Sequence, residues 1–107
     1  MSSKNSLAPP SHLGTFVYRY EGGLVYELNF DSDTKLRWRC LEGDDKGHAG
    51  SEESLRVAIR PGVHFLSWVE KDGLVVTQVI DYDAGTVNCV LVVEGKRIVL
   101  QGSVTRL

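Results

Sequence analysis

From Thr15 onward, apolar and polar residues alternate with a period of two, and turn-forming residues interrupt the alternation at intervals of about 8–12 residues. The runs read as short strands over residues 15–20, 24–30, 35–40, 54–60, 63–70, 74–81, 86–92 and 97–104. Between them stand turn signals: Glu21-Gly22-Gly23, Asp31-Ser32-Asp33, Pro61-Gly62, Lys71-Asp72-Gly73, Asp83-Ala84-Gly85 and Glu94-Gly95. Only the polar stretch from Leu41 to about Glu52 is too long for a hairpin turn. No segment carries a sustained 3.6-residue period. The expected fold is all-β: a small antiparallel up-and-down barrel of about eight strands, calycin- or lipocalin-like, closed so that no edge is left open. Residues 1–12 are polar, hold Pro9 and Pro10, and read as a disordered lead to a single domain over 13–107.

Because strand side chains alternate, Phe16, Tyr18 and Tyr20 share one face, as do Leu24, Tyr26, Leu28 and Phe30, and His64, Leu66, Trp68 and Glu70. Phenylalanine would fill a core more cheaply than tyrosine, whose buried hydroxyl needs a partner. Three tyrosines on neighbouring strands therefore suggest a polar-lined cavity for a small molecule. Trp38 and Trp68 would be its apolar or stacking walls. Gln78 interrupts an apolar strand and could face the same space, and His64 shares the face of Glu70. Glu70 reads either as a solvated hairpin residue beside Lys71 and Asp72, or as a partly desolvated carboxylate just inside the barrel mouth. Both faces of 63–70 are apolar enough that a second copy of the chain is a candidate cover for the outer one.

Composition narrows the classes further. The 107 residues carry a formal net charge of −2 and no basic cluster, which gives no reason to expect nucleic-acid or membrane partners. The two cysteines, Cys40 and Cys89, have no metal-ligand spacing, and the three histidines give no zinc site, so no metal or cofactor is expected. With two free thiols and no apolar leader in the opening residues, the expected compartment is the cytoplasm.

The stretch from Phe16 to Phe30, with Leu36, Trp38 and the run from Ile59 to Glu70, resembles the MoaF-like proteins, small calycin-type barrels named for an association with molybdenum-cofactor biosynthesis. The likeness covers about Gly14 to Val92. The same stretches are similar to the bacterial phenolic acid decarboxylases, with two tyrosines one residue apart, a third after a turn, and a later Ser-Trp-x-Glu run. That resemblance implies Tyr18 and Tyr20 as a grip on a substrate carboxylate, Tyr26 as a further cavity residue and Glu70 as the proton-transfer group. The decarboxylases carry an arginine in the loop before the fourth strand; here that loop has only Lys46 and His48. The leading expectation is thus a non-enzymatic small-molecule-binding barrel. An acid–base lyase using Glu70 and the tyrosines is one alternative. A structural or oligomerisation module with a filled barrel is another.

Overall fold

The computed structural model describes residues 12–107. The expected disordered lead lies, but for His12, outside the described residues. Nine strands follow one another: β1 Gly14–Tyr20, β2 Val25–Phe30, β3 Lys35–Glu42, β4 Ala49–Glu53, β5 Leu55–Arg60, β6 Val63–Val69, β7 Val75–Asp81, β8 Thr86–Val93 and β9 Lys96–Arg106. They form one antiparallel sheet in the order β4-β3-β2-β1-β9-β8-β7-β6-β5. The sheet curls into a nearly closed barrel, and no helix occurs among the described residues.

The expected strands are present, with one addition. Part of the stretch read as a loop is β4, which pairs with β3 from Lys35↔Glu53 to Arg39↔Ala49. Its sequence, Ala-Gly-Ser-Glu-Glu, contains no β-branched residue, so propensity gave no signal. The ladder to β3 and the Trp38 indole, whose Nε1 donates to Glu52 at 2.9 Å, hold it in place. Only Ser54 separates β4 from β5. One continuous run of chain therefore pairs with β3 along its first half and with β6 along its second, and it bridges the two edges of the sheet.

Closure elsewhere depends on β9, the longest strand, which pairs with β8 on one side and β1 on the other. Where Tyr20 faces Gly102, the backbones approach so closely that a Cβ on Gly102 would fall on the carbonyl of Arg19. The inner faces supply the core: Phe16, Tyr18, Leu28, Phe30, Leu36, Leu66, Ile80 and Val87 are buried. Each large apolar side chain contributes about 1.5–3 kcal/mol by leaving water.

The outer faces of the two halves differ. Over β1–β4 the outside carries ion pairs, Arg39–Glu27 at 3.1 Å and Arg37–Asp31 at 2.9 Å among them. Over β5–β9 it is largely apolar. Cross-strand rows join Leu55, Ser67, Thr77, Val90 and Val99, and likewise Val57, Phe65 and Val79, the second row ending on the hydrogen-bonded Asn88 and Gln101. Leu55, Val57 and Ile59, whose alternation announced their strand, thus point outward and are exposed, while Arg56 points inward.

Gly102→Ala should lower stability at or beyond the upper end of the ~1–3 kcal/mol seen for overpacking, because its neighbour is backbone and cannot rotate away. Urea unfolding checks this. A loss below about 0.5 kcal/mol would mean that the seam has slack.

Candidate functional site

Three T-shaped ring contacts run from the core toward one end of the barrel. Tyr18 packs on Tyr20 with centroids 6.2 Å apart, Tyr20 on Tyr26 at 6.3 Å, and Tyr26 on Trp38 at 6.0 Å. They lie on β1, β2 and β3 because the registers place Tyr26 opposite Tyr18 and Cys40 opposite Tyr26. The outer three rings, Tyr20, Tyr26 and Trp38, border a cavity of about 170 Å³.

Six of the residues singled out in the sequence line it: Tyr20, Tyr26, Trp38, Trp68, Glu70 and Gln78. Leu24, Leu28, Leu74, Val76, Leu91 and Leu100 make the rest of the wall mostly apolar. Two other candidates stand elsewhere. Tyr18 lies behind Tyr20, wholly buried, with its hydroxyl lacking a partner among the described residues. His64 is at the opposite end, against His12, Arg56 and Tyr82.

At the inner end of the cavity, Gln78 is 3% exposed. Its Nε2 donates to Tyr20 Oη at 3.2 Å, and its Oε1 has no partner among the described residues. A buried acceptor left open is costly. At the outer end, carboxylates gather. Trp68 Nε1 donates to Glu70 at 3.1 Å, as Trp38 Nε1 does to Glu52. Tyr26 Oη donates to Asp45 at 3.4 Å, a long hydrogen bond. Glu70, Glu52 and Asp45 form no ion pair among the described residues.

The electrostatics follow from this grouping. Partial burial raises the Glu70 carboxyl above the usual range; the Trp68 indole opposes the shift, and Glu52, Asp72 and Asp45 reinforce it by repulsion. Burial raises the phenols of Tyr20 and Tyr26 as well, with Cys89 adding to the first and Cys40 and Asp45 to the second. Both phenols are therefore neutral donors at physiological pH.

Sequence reading passed over Asp45 and Glu52. Asp45 sits beside Asp44 in what looked like a turn, and Glu52 lay in the stretch read as a loop, so neither carried a sign of facing the cavity. Cys89 also lines it, and both cysteines are free and buried.

The MoaF-like family model matches residues 14–105, nearly all of the barrel. The chain belongs to the MoaF-like family. No curated protein matches it. A crystal structure from Burkholderia vietnamiensis, described as a "putative beta-lactamase", is similar to this MoaF-like chain, with a TM-score of 0.85 and 26% identity over 92% of this chain and 97% of that one.

The raised Glu70 carboxyl has a consequence for stability. A carboxyl that binds its proton more tightly when folded makes the fold lose stability as pH rises from the ordinary value of 4.5 through the shifted one. Glu70→Gln should therefore raise the thermal midpoint at neutral pH, and the gain should shrink to nothing in acid below the ordinary value. An equal gain at both pH values would show that burial of the charge is not the cause.

Proposed function

We propose that this MoaF-like barrel binds a small organic cation, its apolar body within the Tyr20–Tyr26–Trp38–Trp68 cavity and its charge at Glu70. The observation that carries this reading is a rim of carboxylates without counter-charges, standing over an apolar aromatic cavity. A cavity of this size suits a body about as large as benzene. Aromatic faces attract cations by about 0.5–2 kcal/mol. Ionised Glu70 adds direct charge pairing, and Gln78 Oε1 offers an acceptor to any donor that reaches the inner end.

The same rim weighs against an aromatic acid as ligand, and so against the lyase alternative. No arginine or lysine lines the cavity to receive a carboxylate. Nor does the lining include a serine, so a serine-nucleophile reaction has no attacking group there. The link to molybdenum-cofactor metabolism rests on the family name alone; the rim selects for charge.

Benzylamine, benzyl alcohol and sodium benzoate share a ring and differ in charge, which makes them suitable probes for calorimetry. Benzylamine should bind, and Glu70→Gln should weaken it at least tenfold. Binding should also weaken as pH falls through the Glu70 pKa, since the anchor is lost on protonation. Benzoate binding as tightly as benzylamine would sink the proposal, and consumption of hydroxycinnamic acids by the wild type but not Glu70→Gln would put the lyase in its place.

We also propose a second copy of the chain as the cover for the apolar outer face of β5–β9. The two rows through Leu55 and Val57 carry no charge, and the row through Val69 carries one, at Arg97, so an identical face meets little repulsion, as two-fold pairing requires. Val69 and Val99 are 64% and 66% exposed on it. The double variant Val69→Lys, Val99→Lys should run as a monomer in light scattering where the wild type runs as a dimer. A monomeric wild type at ~100 µM would refute the pairing, since weaker association lies outside the range of stable interfaces.

A further inference from the structure

At the end of the barrel away from the acidic rim, a guanidinium is buried with two of its three nitrogens unused. Arg56 stands on the inner side of β5, between the outward Leu55 and Val57. Its head lies over the ring of Phe30, 4.9 Å from the centroid. Nη1 donates to Nδ1 of His64 at 2.6 Å and to the Tyr82 hydroxyl at 3.1 Å. Nε and Nη2 are sealed from solvent and make no hydrogen bond among the described residues. Neither does the hydroxyl of Tyr18, which is wholly buried.

The charge has no counter-ion among these neighbours. Arginine stays protonated at any physiological pH. His64 cannot offset it, because an Nδ1 that accepts from Arg56 belongs to a neutral ring. Burial, Arg56 and His12 all lower the His64 pKa in agreement with that. The carboxylate acting on this group, Asp33, is engaged by His12 Nε2 at 2.7 Å, and its side chain is 70% exposed. A buried cation with no ion pair among the described residues is costly, and residues that merely fill a barrel do not require one.

The unused donors have a definite geometry. Nε–H and the neighbouring Nη2–H point in parallel from one edge of the guanidinium, the edge that takes both oxygens of a carboxylate. Tyr18 belongs to the same buried cluster as Phe30, over whose ring Arg56 lies, and Tyr82 packs against that cluster.

We infer that the Arg56 end of the barrel is a binding site for the carboxylate group of a small acid, gripped by Nε and Nη2 of Arg56. This site is distinct from the cavity at Glu70: none of Arg56, Tyr18, His64 and Tyr82 lines that cavity. The two ends therefore select for opposite charges. The His12–Asp33 pair, with Asp33 exposed and the His12 ring 4.9 Å from that of His64, is the part of the cluster that a ligand would displace.

The test is an acetate titration of the whole protein, with sodium chloride and inorganic phosphate at matched ionic strength as parallel arms. The Arg56 Nε–H signal in nitrogen–proton spectra should shift and saturate with acetate. Acetate should also raise the thermal midpoint of the wild type above the chloride arm. Arg56→Lys keeps the charge but loses the fork and should weaken acetate at least tenfold. Arg56→Met should abolish the response while leaving benzylamine binding intact. An Nε–H signal that acetate does not move overturns the inference without reference to any variant. So does an equal response to acetate and chloride, a response to phosphate alone, or an acetate effect that survives in both variants.

Discussion

Everything inside this protein depends on the seam between the first and last strands. Without the β1–β9 ladder, the sheet would have two long open edges and no enclosed interior. The seam admits no side chain at Gly102, because the β1 backbone occupies the place of its Cβ. Closure at that point brings Tyr18 and Tyr20 across from Ile80, Cys89 and Gln78, residues far away in sequence, and makes one core of both halves. On the opposite side of the barrel, covalent continuity through Ser54 joins the edges in place of a ladder.

The enclosed space is more polar than a core needs to be. Gln78 Oε1, the Tyr18 hydroxyl and two donors of Arg56 are buried without partners among the described residues. Native interiors leave few such groups, and each carries a cost. Leucine or phenylalanine at these positions would be the cheaper way to fill a barrel of this width. The orphans are not scattered: one acceptor borders the cavity beneath the acidic rim, and the open donors surround Arg56 at the other end. A net charge of only −2 thus conceals an interior with strongly separated charge.

The outside is divided as sharply. Ion pairs cover β1–β4, worth at most about 1 kcal/mol each at the surface, and they keep that half in water. The half from β5 to β9 presents valine, leucine and isoleucine to the same solvent. Exposed apolar residues are ordinary when single, but rows that continue from strand to strand form a contiguous face.

By itself, the sequence determined the all-β class, the position of nearly every turn and which residues of the tyrosine strands share a face. These follow from local rules: a period of two, and glycine, proline or aspartate where the chain reverses. It also marked Tyr20, Tyr26, Trp38, Trp68, Glu70 and Gln78, which the fold gathers around one cavity. Alternation fixes which residues share a face, however, and not which face is inside. Leu55, Val57 and Ile59 made β5 recognisable and yet point to solvent, while the arginine between them enters the barrel. Tyr18 and His64, in step with the cavity residues along their own strands, lie below it and at the far end. Glu52 joined the rim because β4 folds against Trp38, and Asp45 because the loop before β4 meets Tyr26. Those placements depend on contacts between segments distant in the chain, where closure of the barrel and the separation of buried charge outweigh any local preference.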